Sequence, residues 1–352
     1  MKNKIWDMEN KAENVLRACL EKVPFVRIAL LSREVGGGGL RADLVITIAL
    51  PDSKQTLVVD VKNNGQPRLA REAVNQLMRY RETYPDSYGV FIAPYISPRS
   101  AEICTKDGIG YVDLAGNCRL SFNQVYIEQE GKPNPFAMKR DLRSLYSPKA
   151  ARVLRVLLSN SKKAWKTQEL TNEAKVSLGQ ISNVKKLLGN REWISATKDG
   201  FLLSEPERLL TEWSENYTYR KSKIQEFYTL KELVEIERDL SALCKQKGIQ
   251  YALTGFSGAT RLAPAVRYQR AMAYVGNQME EVASLLDLKE VTSGANVLLL
   301  TPYDEGVFYG IRQIDSISIA SPVQIYLDLK SYRGRGEEAA KALFEEVIRP
   351  TW

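Results

Sequence analysis

The chain has 352 residues, 50 Lys+Arg against 42 Asp+Glu, four cysteines and no histidine. Lacking histidine, it cannot build a Ser-His-Asp or Cys-His nucleophile system, an HExxH peptidase or a histidine-bearing zinc site, so acid–base chemistry must rest on Asp, Glu, Lys, Tyr or Cys. Cys19, Cys104, Cys118 and Cys244 never fall in a CxxC pair, which excludes a zinc ribbon or thioredoxin-type motif and reads as reduced, mostly core thiols.

In chain order, Met8, Ala12, Val15, Leu16, Cys19 and Leu20 recur at helical spacing and predict an amphipathic helix over residues 8–22. Apolar β-type runs follow at 25–31, 42–50 and 56–61, separated by the glycines 36–39 and by Pro51-Asp52-Ser53. A helix at 69–81, a strand at 88–92, a helix at 97–106 and a strand at 110–114 complete an α-β-β-β-α-β-α-β order. That order predicts an α/β domain with a mixed sheet over residues 1–130, ended by the linker Gly131-Lys132-Pro133-Asn134-Pro135. Residues 147–217 then read as three helices, starting at Ser147-Pro148, Thr167 and Ser177, the last with a Ser177/Gln180 capping box. The runs 193–197 and 201–203 flank an Asp-Gly turn and form a hairpin, giving a winged-helix arrangement. Residues 224–352 mix helices at 230–246, 277–287 and 321–348 with strands near 249–253, 269–275 and 296–301, a second α/β domain.

Charge is unevenly spread. Residues 1–130 carry +1, residues 131–223 carry +10 (19 Lys+Arg against 9 Asp+Glu), and residues 224–352 carry −3. A basic middle segment between nearly neutral neighbours is the asymmetry expected when one module meets a polyanion, with double-stranded DNA the expected partner and a solvated basic face the alternative. Its third helix is predicted to bury Leu178, Ile181, Val184 and Leu187 or Leu188. The opposite face presents Gly179, Ser182, Asn183 and Lys186, with Gln180 and Lys185 on the flanks. Small and amide side chains there suit base edges and lysines suit phosphates; Arg191 lies close by and Lys198 is at the wing tip.

Asp43 lies near the start of one strand, and Asp60-Val61-Lys62 closes the next. Residues i and i+2 of a strand share a face, so Asp60 and Lys62 point the same way and a neighbouring strand can bring Asp43 beside them. Two carboxylates and a peptide carbonyl suit Mg²⁺, and a lysine near a metal-bound water orients or deprotonates it without histidine. Through Arg41-Ala42-Asp43, Val58-Val59-Asp60-Val61-Lys62 and Ala73-Val74-Asn75-Gln76-Leu77-Met78-Arg79-Tyr80, residues 8–123 resemble the PD-(D/E)XK nuclease superfamily. The resemblance implies a restriction-endonuclease-like fold, metal ligands Asp43 and Asp60, catalytic Lys62, an assisting Glu13 and a supporting Gln76. Ala42 stands where that family has proline, and Asp60 where glutamate is commoner.

Further on, Tyr251-Ala252-Leu253-Thr254-Gly255-Phe256-Ser257-Gly258 places a Gly-Ser element after a short strand, as in nucleotidyltransferase folds. Residues 265–280 contain no aspartate, so the metal-binding pair of those enzymes is missing. The stretch is similar to the C-terminal domain of AbiE-type antitoxins, a resemblance that covers about residues 147–348. Gly110-Tyr111-Val112-Asp113-Leu114-Ala115-Gly116-Asn117 is similar to a segment of bacterial regulators of that family, or is simply a strand entering a turn. Arg333-Gly334-Arg335-Gly336-Glu337 reads as a polar turn, with phosphate binding the alternative.

Two readings stay open: a DNA-binding regulator of the AbiE-type antitoxin class, with a nucleotidyltransferase-type toxin as a partner and homodimer formation open, and a Mg²⁺-dependent DNA endonuclease targeted by its winged helix. No apolar run reaches the roughly 18–20 residues of a membrane span, and the first residues lack a signal-peptide stretch. A cytoplasmic protein is expected.

Overall fold

The computed structural model describes residues 2–37, 40–135, 145–332 and 335–352. The chain divides into two compact units, residues 1–139 with 190–192 and residues 140–189 with 193–352. Among the described residues no helix is long and apolar enough to cross a membrane.

The first unit runs α1 (Lys2–Leu20), β1 (Arg27–Gly37), β2 (Leu40–Ala49), β3 (Lys54–Val61), α2 (Pro67–Thr83), β4 (Ser87–Ala93), α3 (Pro98–Lys106), β5 (Gly110–Asp113), β6 (Cys118–Phe122) and β7 (Val125–Gln129). The strands lie side by side in sequence order, in a mixed sheet. β1, β2 and β3 are antiparallel, β3, β4 and β5 are parallel, and β6 and β7 return antiparallel. The helices α2 and α3 are the crossovers that parallel neighbours demand. Both faces of the sheet are covered, which is why its central strands read as nearly continuous apolar runs.

Alternation sorts the side chains. Leu44, Ile46, Ile48, Leu57, Val59, Val90 and Ile92 pack with Ala12, Leu16, Cys19 and Leu20 of α1. Val58, Phe91 and Tyr111 pack on the other face with Ala70, Ala73, Val74 and Leu77 of α2 and with Ile103 and Cys104 of α3. Compared with the expectation, β1 runs on through Gly36 and Gly37, while Gly38 and Gly39 lie outside the described residues. The short β6 and β7, whose outward residues are polar, extend the domain beyond its predicted last strand.

The second unit begins with α4 (Pro148–Ser159), α5 (Thr167–Ala174), α6 (Leu178–Asn190) and the hairpin β8 (Ile194–Thr197) and β9 (Gly200–Leu203), in the order the sequence predicts. Trp165 adds a bridge to the hairpin by exchanging backbone hydrogen bonds with Phe201 at 2.9 and 3.0 Å. Gly200 sits at φ +138°, and a Cβ there would lie 2.1 Å from the Trp165 carbonyl oxygen, so this close approach requires glycine. Helix α7 (Pro206–Glu215) follows.

A second mixed sheet then forms in the order β13-β10-β14-β12-β11-β16-β15. Its strands are β10 (Lys223–Tyr228), β11 (Tyr251–Leu253), β12 (Ala271–Val275), β13 (Lys289–Glu290), β14 (Val297–Thr301), β15 (Arg312–Ile314) and β16 (Ile317–Ile319). The helices between and after them are α8 (Leu233–Lys247), the short α9 (Gly255–Ala259), α10 (Met279–Leu285), α11 (Pro322–Lys330) and α12 (Gly336–Leu343). The single helix expected at 321–348 is instead broken into α11, α12 and a π-helical turn at 344–348. The break falls where Gly336 packs so tightly that a Cβ would lie 2.3 Å from the Leu329 carbonyl oxygen. Of the polar turn expected there, Arg333 and Gly334 lie outside the described residues, and Arg335 pairs with Glu338.

The helical module and this sheet share one core. Leu154, Leu157, Leu188, Leu209 and Trp213 cluster with Tyr274, Leu300, Ile325, Leu327 and Leu343. Through that core runs a polar network. Arg155, 1% exposed, donates from Nε and Nη2 to Gln324 Oε1 at 2.9 and 2.6 Å and lies over the Trp213 ring. Gln324 Nε2 donates to the fully buried Asp328 at 3.0 Å. The Asp328 carboxylate also accepts from the hydroxyls of Thr254, Tyr217 and Tyr274 at 2.5, 2.6 and 2.9 Å. Arg152, one turn away on α4, holds Asp304 in a two-pronged pair at 2.7 and 3.0 Å.

Candidate metal centre and nucleic-acid face

In the first unit, the β2–β3 register pairs Leu44 with Val59, so the next step along the two strands sets Asp43 opposite Asp60. Val45 and Val58 face α2, so by alternation Asp43 and Asp60 do as well. Asp43 Oδ2 accepts the Val61 amide proton at 2.7 Å, which fixes it against the end of β3. Lys62, one residue past β3, is held by its own amide donating to Ile92 O at 2.9 Å. Its Nζ lies 2.7 Å from Asp60 Oδ1. Asp43, Asp60 and Lys62 therefore come together as the spacing predicts.

Asp60 is 1% exposed, and its Oδ2 has no hydrogen-bond donor. Burial pushes its carboxyl above the ordinary value; Lys62 pulls it back, and the charges of Asp43 and Glu72 add to the rise. A buried carboxylate oxygen without a donor is costly unless something else binds it. Among the described residues no group of three or more His, Cys, Asp or Glu side chains could hold a metal ion. An ion here would have Asp43 and Asp60 as its acidic ligands and complete its shell from the peptide backbone and water, a set that fits Mg²⁺, which keeps most of its waters.

The other residues named from the sequence stand differently. Gln76 is half-buried on α2, the helix that covers this face. Glu13 is on α1, whose apolar residues pack on the opposite face of the sheet, and it pairs with Arg17 at 3.4 Å. Sequence reasoning missed Glu72, which acts on Asp60 from α2 while paired with Arg68. Its spacing of four from Gln76 is the signal that could have found it.

In the second unit, Ser177 Oγ accepts the Gln180 amide proton at 3.3 Å and caps α6. Ile181, Val184, Leu187 and Leu188 are buried as predicted. Leu178 is not: it is 50% exposed. Helical side chains lean toward the N-terminus, so this first residue projects past the end of the helix, away from the core seam. Ser182, Lys185 and Lys186 are exposed, Asn183 and Gln180 are half-buried, and Gln180 Nε2 has no hydrogen-bond partner. Lys185 lies over the Phe201 ring of the hairpin at 4.9 Å. Lys198 is exposed in the hairpin turn, and Arg191, which is grouped with the first unit, is half-buried just past α6.

Elsewhere the suggestive motifs resolve into architecture. Ser257 is fully buried and its hydroxyl accepts the Met272 amide proton at 3.0 Å, so the Gly-Ser element packs α9 against β12. Asp113, also fully buried, accepts from the amides of Asn117 and Ile96 at 2.8 and 3.1 Å and from Asn117 Nδ2 at 2.9 Å, locking the β5–β6 turn.

No curated protein matches the chain. Three solved structures resemble part of it: a repair endonuclease from Pyrococcus abyssi (14% identity, TM-score 0.22), EndoMS in its apo form (17%, 0.22) and EndoMS in complex with double-stranded DNA (20%, 0.21). They cover 29%, 29% and 28% of this chain, which spans 46%, 45% and 42% of theirs. Residues 202–349 match the family model described as transcriptional regulator, AbiEi antitoxin, type IV toxin–antitoxin system. From β9 to the last helical turn, the chain is thus similar to the AbiEi antitoxin family of transcriptional regulators.

Proposed function

We propose that the protein is a DNA-binding transcriptional regulator of the AbiE-type antitoxin class. The family match over residues 202–349 carries this reading, because the matched domain shares its core with a basic three-helix-and-hairpin module. The exposed Ser182 and Lys186 of α6 and Lys198 of the hairpin present themselves to a duplex, with Gln180, Asn183, Lys185 and Arg191 beside them. Binding to a duplex from upstream of its own gene should weaken steeply with salt, since lysines on phosphates release counterions. Replacing Lys186 and Lys198 by alanine should lower the log–log salt slope by about 2 and weaken binding to all sequences alike. Unchanged affinity and slope in the double variant would overturn this placement of the DNA face. A nucleotidyltransferase-type toxin is the protein partner this class implies; co-purification of the two chains tests it, and sedimentation of the free protein tests a homodimer.

A second reading is favoured by the unsatisfied Asp60 oxygen: Mg²⁺-dependent DNA cleavage at Asp43, Asp60 and Lys62. The ion, when bound, supplies an acidified water and charge neutralisation at phosphate. Lys62, already paired with Asp60, contributes a cation that can turn from the carboxylate to the scissile phosphate or orient the nucleophile. Supercoiled, linear, branched and single-stranded DNA incubated with Mg²⁺, Mn²⁺ or EDTA should show metal-dependent cuts, absent in Asp60→Ala and Lys62→Ala. No cuts on any substrate would remove this reading and leave the regulator.

A further inference from the structure

Two thiols that neither reading uses meet inside the first unit. Cys19, in the last turn of α1, and Cys118, the first residue of β6, lie 99 positions apart in sequence, yet their sulfurs are 3.2 Å apart, closer than simple van der Waals contact. Both are free and almost fully buried, at 4% and 2% exposure. A cation stands near them: Cys118 is in register with Gln129 of β7, whose side-chain oxygen accepts from Lys22 Nζ at 2.8 Å. The hydrogen bond from Cys19 and the Lys22 charge favour the Cys118 thiolate, while burial and Asp113 oppose it; Cys19, as the donor, is pushed the other way. Cys104 and Cys244 provide the contrast, because burial pushes each up to about 12 and neither has a thiol neighbour of this kind.

We propose that Cys19 and Cys118 form an oxidative modification site, at which hydrogen peroxide converts the two thiols into a disulfide that ties α1 to β6. The Cys118 thiolate attacks one peroxide oxygen. An S–O bond forms, the O–O bond breaks, and the departing hydroxide takes up a proton to leave as water. The Cys19 sulfur then attacks the resulting sulfenic acid. The S–S bond forms, the S–O bond breaks, and the released hydroxide combines with the Cys19 proton as a second water. Two electrons pass from the sulfurs to peroxide, and a dithiol reductant reverses the change. The small oxidant suits a buried pair, and the contact distance favours disulfide closure over further oxidation of the sulfenic acid.

The test treats the reduced full-length protein with hydrogen peroxide, alkylates the remaining thiols and maps the peptides. The expected result is a Cys19–Cys118 linkage that forms before Cys104 or Cys244 loses its alkylation. It should be absent in Cys19→Ser, where Cys118 should instead be trapped as a sulfenic acid by a dimedone probe. Closing a loop of this length should also raise the melting temperature by about 5 °C or more. The same treatment in urea separates folded-state proximity from chance collision. A linkage that forms no faster in the native protein than in urea, or peroxide that modifies the four cysteines indiscriminately, overturns the proposal.

Discussion

Replacing Asp328 by alanine should cost the second unit about 3–5 kcal/mol, the usual penalty for removing one side of a buried, charge-bearing network. The Thr254, Tyr217 and Tyr274 hydroxyls and the Gln324 amide all donate to this carboxylate, and none of them reaches water. Alanine would strand the Thr254 hydroxyl and one of the two tyrosine hydroxyls, each costing about 1–3 kcal/mol before the site relaxes, while Gln324 Nε2 would keep Tyr217 Oη at 2.8 Å and the tyrosine hydroxyls would keep each other at 3.2 Å. It would also remove the carboxyl group that the buried Arg155 guanidinium reaches through Gln324. Asp328→Asn should be milder, because it keeps one acceptor oxygen and the side-chain volume. Urea unfolding followed by tryptophan fluorescence, with Trp213 beneath Arg155 as a native reporter, measures both variants. A loss below about 1 kcal/mol for the alanine variant would mean that the donors find other partners and that the network is dispensable.

The second large effect runs in the opposite direction. Asp60→Asn should stabilise the metal-free protein at neutral pH by about 1–2 kcal/mol, since it deletes a buried charge that Lys62 only partly compensates. Lys62 is 26% exposed and can turn to solvent once its partner is neutral. The pH dependence gives the sign. The folded state raises the Asp60 pKa, so the folded form holds this proton more tightly than the unfolded chain does. The stability this contributes is fully present below the unfolded carboxylate value and is lost as pH rises through the folded one. The asparagine variant has no such titration, so its advantage should be small in acid and reach its maximum above the folded pKa. Saturating Mg²⁺ should reverse the ranking, adding about 2.7 kcal/mol to the native chain at a hundred times Kd and nothing to the variant. Thermal unfolding with Mg²⁺ and with EDTA, across pH, tests both halves. An Asp60→Asn protein that melts below the native one without metal would show that the carboxylate is a structural anchor.

The parts of this molecule that could be read from the chain are those with short-range signals. Asp60 and Lys62 share a face because strand alternation is local, and α2 follows from an apolar stripe over four turns. The turn of the hairpin was visible in Asp199-Gly200. Strands of three residues such as β15 and β16 are set by their neighbours in the sheet and leave no period to detect. The partners of Asp328 stand 111, 74, 54 and 4 positions away, so only the Gln324 contact has a local spacing. The Cys19–Cys118 approach is likewise a product of topology, bringing the end of the first helix to an edge-side strand. Glu13 shows the converse limit. Its position on an amphipathic helix was evident, but which face of the sheet that helix would cover was not.

The shared core of the second unit also bears on how such a chain can be assembled over evolutionary time. A helical module whose arginine is buried against a glutamine 169 positions later cannot be lent to another protein by recombination near residues 217–224. A crossover there would expose apolar surface in both progeny, abandoning the buried cation in one and its polar partners in the other. New combinations in this lineage should therefore trade residues 145–352 as one piece. Related chains that keep the domain of residues 202–349 should be found with different N-terminal partners more often than with a different helix-and-hairpin module.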